Sequence, residues 1–325
     1  MDSPAQIPYS RIRAMPQPSK PPALRHGDGI RVLSLASPVQ EDHLEAGCRE
    51  LARLGYVPKV DRGRALARES FFAGSAAERL AGLKEALADP DTRAIFCSRG
   101  GYGSNYLLEG LSLALAAPKI FLGSSDVTSV QIFLWQKFRW VTFYGPMVAS
   151  NFDRGSGAPH GYDCPSFMSA LTETRHGWPV ELQGAAMASG QAEGTLLGGC
   201  LTLVETALGT PWDLDTKGAI LLLEDRGMKP YEVDRALMHL KQAGKFRALA
   251  GIILGDFPDC APPEGGETVE SVAARILAPL GVPIVWGAPI GHTSRAALTV
   301  PLGVRVELSS AGSGTLKILE PACIF

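Results

Sequence analysis

The sequence predicts an α/β protein in which a doubly wound, mostly parallel sheet is followed by a second β/α region. Short apolar runs alternate with helical segments along the first half, a rhythm typical of parallel sheets flanked by helices. Two glycine-rich turns directly follow predicted strands, at the sheet edge where such folds bind ligands. With 325 residues, 46% of them hydrophobic, the chain is long enough for two domains of common size.

The first half begins with a buried strand. Residues 30–38 read IRVLSLASP, a continuous apolar run closed by Ser-Pro, which is the pattern of a parallel strand covered on both faces. A helix is expected over 75–88 because Ser75 and Glu78 at its start form the pattern of a capping box. The other elements predicted in this half are helix 43–54, strand 93–98, turn 99–104, a short helix, strand 119–122, helix 127–137 and strand 140–145.

A cluster of glycine, proline and polar residues over 151–180 predicts a boundary between two domains. We expect a flexible N-terminal segment over 1–22, an α/β domain over 23–155, a linker over 156–185 and a β/α domain over 186–325. The elements predicted in the second half are short strands near 180–182 and 192–197, a Gly-Gly turn that opens a helix within 196–209, strand 219–225, helix 230–244, strands 251–257 and 283–292 around helix 269–278, and antiparallel strands within 298–321.

The composition argues against several classes of protein. A net charge of −2 and a pI near 6.3 argue against a nucleic-acid partner, because such proteins usually present a basic face. No apolar run approaches the roughly 20 residues that span a bilayer, and the proline-rich N-terminus lacks the apolar core of a secretory signal. The six cysteines are far apart without a CxxC pair, which indicates reduced thiols in a cytoplasmic protein. We therefore expect no membrane partner, no metal and no cofactor.

The turn FLGSSDVTS, residues 121–129, holds the candidate nucleophile. It joins a predicted strand to a predicted helix, the context in which a sharp turn lifts a serine above a sheet. The motif is not G-x-S-x-G, because Val127-Thr128 stands in place of the second glycine. In this geometry the N–H of Asp126 and the helix N-terminus would stabilise a developing oxyanion. The residues alone leave a second interpretation open, in which Ser124 or Ser125 is a helix cap.

A serine nucleophile needs a base and a carboxylate that orients the base. Of the six histidines, His292 follows an apolar strand in a loop of small residues, where it can reach a cleft. Glu224 and Asp225 end the run ILLLED, and neighbours on a strand point to opposite faces, so one of them can serve the site. Asp126 is a poorer candidate because it is adjacent to the serine. An ordinary structural histidine and exposed strand-end carboxylates are the alternatives.

The turn RGGYGS, residues 99–104, offers backbone N–H groups to an anion. It is not a P-loop, because no Gly-Lys-Ser/Thr follows, and it is not the G-x-G-x-x-G fingerprint after a first strand. Nucleotide binding is therefore disfavoured. The other interpretation is that its N–H groups complete an oxyanion hole beside the serine turn.

Six stretches, in order, resemble the LD-carboxypeptidase family, peptidase family S66, which comprises serine peptidases of the muramoyltetrapeptide carboxypeptidase type. The resemblance implies a flavodoxin-like N-terminal domain related to class I glutamine amidotransferases, a smaller C-terminal β/α domain, a homodimer, and a triad completed across the domain boundary. The stretches cover most of the chain from about residue 22 and read GDGIRVLSLASP, SRGGYGSNYLL, FLGSSDVT, GGCLTLVETALGTPWDLDTKGAILLLED, PYEVDRALMHL and PIVWGAPIGHTSRAALTVPLG.

By position, the resemblance implies that Ser125 is the nucleophile, Glu224 the triad acid and His292 the base. The N–H groups of Asp126 and Gly101 would hold the oxyanion. The resemblance also implies a murein tetrapeptide as substrate, cleaved at an L-D peptide bond with release of D-alanine, in cell-wall recycling.

An exopeptidase also needs a group that holds the terminal carboxylate of its substrate. Arg99 and Arg295 are the candidates, with a solvated surface charge as the ordinary alternative for each. Four positions depart from the family pattern without touching the implied triad: Asn105 in a variable part of the glycine-rich turn, Ser124 where an aromatic residue is usual, Tyr144 where histidine is frequent, and Cys200 where asparagine is frequent.

Two other functions stay open. One is a hydrolase that resembles the microcin C immunity peptidases and cleaves peptidyl or aminoacyl nucleotides. The other is a non-catalytic α/β protein that binds a ligand or nucleotide, in which Ser125 would be inert.

Overall fold

The structure of the protein, a computed structural model, describes residues 17–111 and 117–325. Within these ranges the strands form two sheets, and no helix is both long and apolar enough to cross a membrane. Of the predicted flexible segment 1–22, residues 1–16 lie outside the described residues. Its remainder is attached to the protein, for example by a β-bridge between Ser19 and Trp140.

The first sheet contains six strands, and five of them are parallel. They are β1 Gly29–Leu33, β2 Val57–Lys59, β3 Ala94–Cys97, β4 Ile120–Gly123, β5 Thr142–Tyr144 and β12 Val300–Leu302. The spatial order is β2-β1-β3-β4-β5-β12, with only the last pair antiparallel. This is the flavodoxin-like order of the parallel strands, and it confirms the predicted doubly wound α/β fold. The helices of this half are α1 Glu41–Arg53, α2 Arg62–Ala65, α3 Ala76–Ala88 and α4 Thr128–Phe138.

The start of α3 shows how the local sequence fixes a helix. The Ser75 hydroxyl accepts a hydrogen bond from the Glu78 N–H at 3.3 Å, and the Glu78 carboxylate accepts one from the Ser75 N–H at 3.0 Å. This reciprocal capping box satisfies two N–H groups that a helix start would otherwise leave unpaired. The predicted helix start is thereby confirmed.

The second sheet contains eight strands. They are β6 Trp178–Glu181, β7 Ala185–Ala188, β8 Gln191–Cys200, β9 Ala219–Glu224, β10 Gly251–Gly255, β11 Ile284–Ala288, β13 Arg305–Ser309 and β14 Thr315–Ile318. Strands β8 to β11 form a parallel centre, and β6, β7, β13 and β14 pair antiparallel at its two sides. The helices of this half are α5 Cys164–Thr172, α6 Leu201–Thr206, α7 Pro230–Gln242 and α8 Val269–Leu277.

The segment 196–209 differs from the prediction of a Gly-Gly turn that opens a helix. Strand β8 runs through both glycines, and α6 begins only at Leu201. A Cβ on Gly198 would lie 2.0 Å from the carbonyl oxygen of Leu222, and one on Gly199 would lie 2.7 Å from Thr128 Cγ2. The two glycines therefore allow close packing of β8 against its neighbours rather than a turn.

The division of the strands between the two sheets does not follow the order of the chain. The predicted linker 156–185 contains α5 and the strand β6, which pairs with β14. In the opposite direction, β12 leaves the second half of the chain and pairs with β5 in the first sheet. The predicted domain limits stay a prediction, but residues 300–302 belong structurally with the first sheet.

Helix α4 joins the two halves through apolar packing. Ile132 and Trp135 on this helix share a buried cluster with Leu197, Leu201 and Leu221 of the second half. Because α4 directly follows the serine turn, this cluster fixes the position of that turn relative to the second sheet. The site described next lies where the two sheets meet.

Candidate active site

Ser125 occupies a strained turn at the end of β4. Its φ angle is +62°, in the left-handed region that non-glycine residues seldom adopt, and such strain is concentrated at functional sites. A short 3₁₀ helix, Ser125–Val127, connects the turn to α4. Ser124 is extended and buried, and its side chain makes no capping hydrogen bond. The geometry therefore favours the nucleophile interpretation for Ser125 over a capping role for either serine.

The glycine-rich turn packs directly against the serine. A Cβ on Gly100 would lie 2.6 Å from Ser125 Cβ and 2.7 Å from its Oγ, so only glycine permits this approach. The buried Asp126 carboxylate accepts hydrogen bonds from the N–H groups of Gly103, at 3.3 Å, and Ser104, at 2.8 Å. Burial raises the pKa of Asp126, opposed by these N–H groups. Asp126 thus joins the two turns.

Glu224 and His292 form a hydrogen-bonded pair. Glu224 is the last residue of β9 and is fully buried. Its Oε2 accepts hydrogen bonds from the backbone N–H of His292 at 2.9 Å and from its ring Nδ1 at 2.8 Å. A Cβ on Gly291 would lie 2.4 Å from Glu224 Cδ, so this glycine lets the histidine loop reach the carboxylate. Because Nδ1 donates to Glu224, Nε2 of the neutral ring is left to accept a proton.

The surroundings of His292 raise its pKa. Burial by itself lowers the pKa, since it disfavours the charged ring, but the charge and hydrogen bond of Glu224 together outweigh burial, and the net shift is upward from 6.5. An imidazole held in this way stabilises the proton that a general base must carry during the reaction.

Asp225 lines the same cleft as His292, but its hydrogen bonds go to other residues. Its Oδ2 accepts hydrogen bonds from the N–H and hydroxyl of Thr202, at 2.8 and 2.7 Å, and from the thiol of Cys200 at 3.4 Å. The alternation of side chains along β9 therefore places Glu224 in contact with the histidine and leaves Asp225 to stabilise the start of α6. Cys200, one of the departures from the family pattern, belongs to this support.

Tyr144, at the end of β5, connects the nucleophile turn to Glu224, and the sequence did not reveal this role. Its hydroxyl donates a hydrogen bond to Glu224 Oε1 at 2.5 Å and accepts one from the backbone N–H of Ser125 at 3.1 Å. Burial and the adjacent Glu224 charge hold the pKa of Tyr144 well above 10, so the hydroxyl stays protonated. The only signal in the sequence was the departure from histidine at this position.

Ser125 and His292 line one cleft of about 530 Å³ between the two sheets. Gly101 lines it as well. Among the hydrogen bonds of the described residues there is none between Ser125 Oγ and the His292 ring, and such catalytic hydrogen bonds commonly tighten only when substrate is present. The cleft thus brings together the serine, the histidine and the glycine-rich turn, with Glu224 buried behind the histidine.

The two candidate arginines lie in different places. Arg99 lines the cleft, and its Nη1 donates a hydrogen bond to the carbonyl oxygen of Pro38 at 3.2 Å. Arg295 is bound to Asp256 at 2.8 Å and to the carbonyl oxygen of Gln183 at 2.9 Å, and it is not part of the cleft lining. The structure therefore keeps Arg99 as a candidate for substrate binding and assigns Arg295 an ion pair outside the cleft.

A serine on a strained strand-to-helix turn, facing a histidine held by a buried glutamate, defines the class as a two-domain α/β serine peptidase. Family models agree with this class. The LD-carboxypeptidase N-terminal domain matches residues 30–145, and the LD-carboxypeptidase C-terminal domain matches residues 193–308. The chain belongs to the LD-carboxypeptidase family, peptidase family S66.

Individual relatives cover nearly the whole chain. A probable murein peptide carboxypeptidase from Bacillus subtilis is 36% identical over 90% of this chain and 92% of its own length. The crystal structure of a muramoyltetrapeptide carboxypeptidase from Oxalobacter formigenes superimposes with a TM-score of 0.79 at 30% identity, covering 90% of this chain and 99% of that one. An MccF-like protein from Bacillus anthracis str. Ames superimposes with a TM-score of 0.82 at 27% identity, covering 92% and 99%.

Proposed function

We propose that the protein is a serine carboxypeptidase that hydrolyses an L-D peptide bond and releases terminal D-alanine from a murein tetrapeptide in cell-wall recycling. The observation that carries the proposal is the His292–Glu224 pair, which shares a cleft with the strained Ser125. The names of the Bacillus and Oxalobacter relatives support the choice of substrate.

The proposed reaction follows from the tautomer of the histidine. Nε2 of His292 takes the proton of the Ser125 hydroxyl while Oγ attacks the carbonyl carbon of the scissile bond, and Glu224 stabilises the resulting imidazolium. The tetrahedral intermediate collapses to an acyl-enzyme as His292 gives its proton to the amine of the leaving D-alanine. Water, deprotonated by His292, then releases the acyl group and restores the serine.

The proposed oxyanion hole consists of the N–H groups of Asp126 and Gly101. Both residues line the cleft, and the packing of Gly100 against Ser125 brings the glycine-rich turn to the nucleophile. One such donor typically lowers the barrier by roughly 3 to 4 kcal/mol. The hydrogen bonds from the glycine-rich turn to the Asp126 carboxylate keep the two turns in fixed positions.

We assign the terminal carboxylate of the substrate to Arg99. Arg99 is exposed on the cleft wall. Within the described part of the chain, the carboxylates near the cleft pair with other basic residues, and none forms an ion pair with Arg99. A guanidinium group without a carboxylate partner in the protein can form a bidentate pair with a substrate carboxylate.

Release of D-alanine from a murein tetrapeptide, by wild type and Ser125→Ala, tests the proposed reaction. We expect release by wild type, loss in the variant, and labelling of wild type alone by a fluorophosphonate probe. Undiminished release by Ser125→Ala would show that another group is the nucleophile.

The second candidate is cleavage of peptidyl or aminoacyl nucleotides, as in microcin C immunity. The similarity to the MccF-like protein supports it at the level of the fold. The same assay with an aminoacyl-adenylate analogue separates the candidates. Cleavage of the analogue without release of D-alanine would favour the immunity function.

We also propose a cytoplasmic homodimer. The six cysteines are free, which agrees with a reducing compartment, and the dimer comes from the family resemblance. Sedimentation at the mass of one 34.5 kDa chain would contradict the dimer.

A further inference from the structure

A second cavity, which we call the basic pocket, opens beside the catalytic cleft. Its volume is about 520 Å³, within the roughly 300–1,000 Å³ of typical small-ligand sites. It is contiguous with the cleft, because Arg99, Ser150, His160 and Arg226 line both. Every ionisable side chain that lines it is basic, and these are His43, Arg99, Arg154, His160 and Arg226.

One buried carboxylate contacts two of these basic side chains from outside the pocket lining. Asp153, whose side chain is only 1% exposed, contacts His43 Nδ1 at 2.6 Å and Arg154 Nε at 3.2 Å. Asp153 does not itself line the pocket, so it holds the two basic groups in place from behind while offsetting part of their charge. Asp153 is the carboxylate with which Arg154 pairs among the described ion pairs.

The other arginines add to the positive charge. Arg226 is paired with Asp259 at 2.5 Å, and Asp259 lies on the catalytic cleft rather than on the basic pocket. Arg99 has no carboxylate partner in the described part of the chain. Three guanidinium groups therefore face a pocket that no carboxylate lines, which favours an anionic ligand.

The N-terminus of α1 also adds positive potential to the basic pocket. Val39, Gln40 and His43 line the pocket, and the N-cap residue Gln40 makes no side-chain hydrogen bond to its helix. The first turn of a 13-residue helix carries a partial positive charge. The two acids of that turn, Glu41 and Asp42, do not line the pocket.

We propose that the basic pocket is an anion subsite that holds a second carboxylate of the peptide substrate, distinct from the terminal carboxylate assigned to Arg99. The proposal rests on the proposed carboxypeptidase function and narrows its substrate class to peptides with at least two free carboxylates. Murein stem peptides meet this requirement, because D-glutamate and diaminopimelate residues each carry one. Arg154 and His43 are the groups that provide the contact without lining the catalytic cleft.

Three tetrapeptides test the proposal: one with both carboxylates free, one amidated at D-glutamate and one amidated at diaminopimelate. We expect wild-type kcat/KM to fall about tenfold or more for one of the amides, the loss expected for one charge-assisted hydrogen bond. Arg154→Gln should lower kcat/KM for the free acid by a similar factor and abolish the preference. Arg175→Gln is the matched control, because Arg175 is also exposed and paired with a nearby acid, Glu173, and it should behave like wild type. Equal rates for all three peptides, or a full preference retained in Arg154→Gln, would overturn the proposal.

Binding measurements separate this proposal from the proposed reaction. In calorimetric titration of Ser125→Ala with the same peptides, the difference in affinity between acid and amide reports the pocket separately from the chemical step. We expect the favoured acid to bind about tenfold more tightly than its amide, and Arg154→Gln in this background to remove the difference. Arg226→Gln serves as a second variant and should weaken binding of the acid. Equal dissociation constants for acid and amide would refute the subsite even if Ser125 proves to be the nucleophile.

Discussion

Replacing Tyr144 with phenylalanine removes one hydroxyl group from the connection between the nucleophile turn and Glu224. The hydroxyl donates to Glu224 at 2.5 Å and accepts from the Ser125 N–H at 3.1 Å. A hydrogen bond to a charged group contributes about 1.5–3 kcal/mol and a neutral one about 0.5–1.5 kcal/mol. The free energy of unfolding should therefore fall by about 2–4.5 kcal/mol in the variant, and the activation barrier should rise separately because Ser125 and Glu224 are less well positioned.

The effects on catalysis and on stability can be measured separately. Release of D-alanine gives kcat and KM, and urea denaturation gives the free energy of unfolding. Because the lost hydrogen bonds position Ser125 and Glu224, the proposed nucleophile and acid, and do not contact substrate, we expect kcat to fall at least about tenfold, or 1.4 kcal/mol of barrier. KM should change little, since the binding groups are untouched.

Tyr162→Phe is the matched control. Tyr162 is also fully buried, and its hydroxyl donates to Glu50 at 2.5 Å, whereas the hydroxyl of Tyr144 bonds to Ser125 and Glu224. This variant should lose about 1.5–3 kcal/mol of stability and keep its kcat. If Tyr144→Phe lost stability but retained wild-type kcat, as the control should, the proposed positioning role of Tyr144 would be wrong.

Three further substitutions test the site. Neutral His292 is the proposed base and its pKa is raised above 6.5, so wild-type kcat/KM should decline as pH falls through a midpoint above 6.5. Glu224→Gln removes the charge that raises this pKa, so the midpoint of the pH–rate profile should move to lower pH. The same variant should lose about 10⁴-fold in kcat. An unmoved midpoint would contradict this reasoning. Gly100→Ala places a methyl group 2.6 Å from Ser125 Cβ and should displace the nucleophile, seen as weaker fluorophosphonate labelling at a stability cost of about 1–3 kcal/mol; normal labelling would speak against the close packing. Asp126→Asn directs an amide NH₂ at backbone donors of the glycine-rich turn and should cost about 1–3 kcal/mol in urea denaturation, whereas unchanged stability would show that the carboxylate does not join the turns.

Local patterns in the sequence predicted much of the fold. The capping box at Ser75 and the continuous apolar runs of β1, β3 and β9 depend on contacts within a few residues, and the structure contains these elements, although β1 ends at Leu33 within the predicted run 30–38. The alternation of side chains along β9 predicted that only one of Glu224 and Asp225 could face the histidine. This local pattern did not decide between them; the family resemblance implied Glu224, and the hydrogen bonds of both residues agree with that choice.

Features that depend on distant parts of the chain were not predictable in this way. Tyr144 lies 19 residues from Ser125 and 80 residues from Glu224, and it meets them only because two sheets pack together. A local rule assigns Gly198 to a turn. In the structure a glycine is needed there because the carbonyl oxygen of Leu222 leaves no room for a Cβ. Periodicity carries no information about such contacts, since they are set by tertiary packing.

The strand β12 has a consequence for the synthesis of the protein. It completes the sheet that carries the serine by pairing with β5, so that Val300 lies opposite Tyr144. About 160 residues separate these two strands, and at about 5–20 residues per second a ribosome needs roughly 10–30 s to add them. During that interval β5 is an unpaired edge, open to association with other chains. Glu224 and His292, the proposed acid and base, are also added after Ser125, so a nascent chain that ends before them lacks the groups proposed to activate the serine.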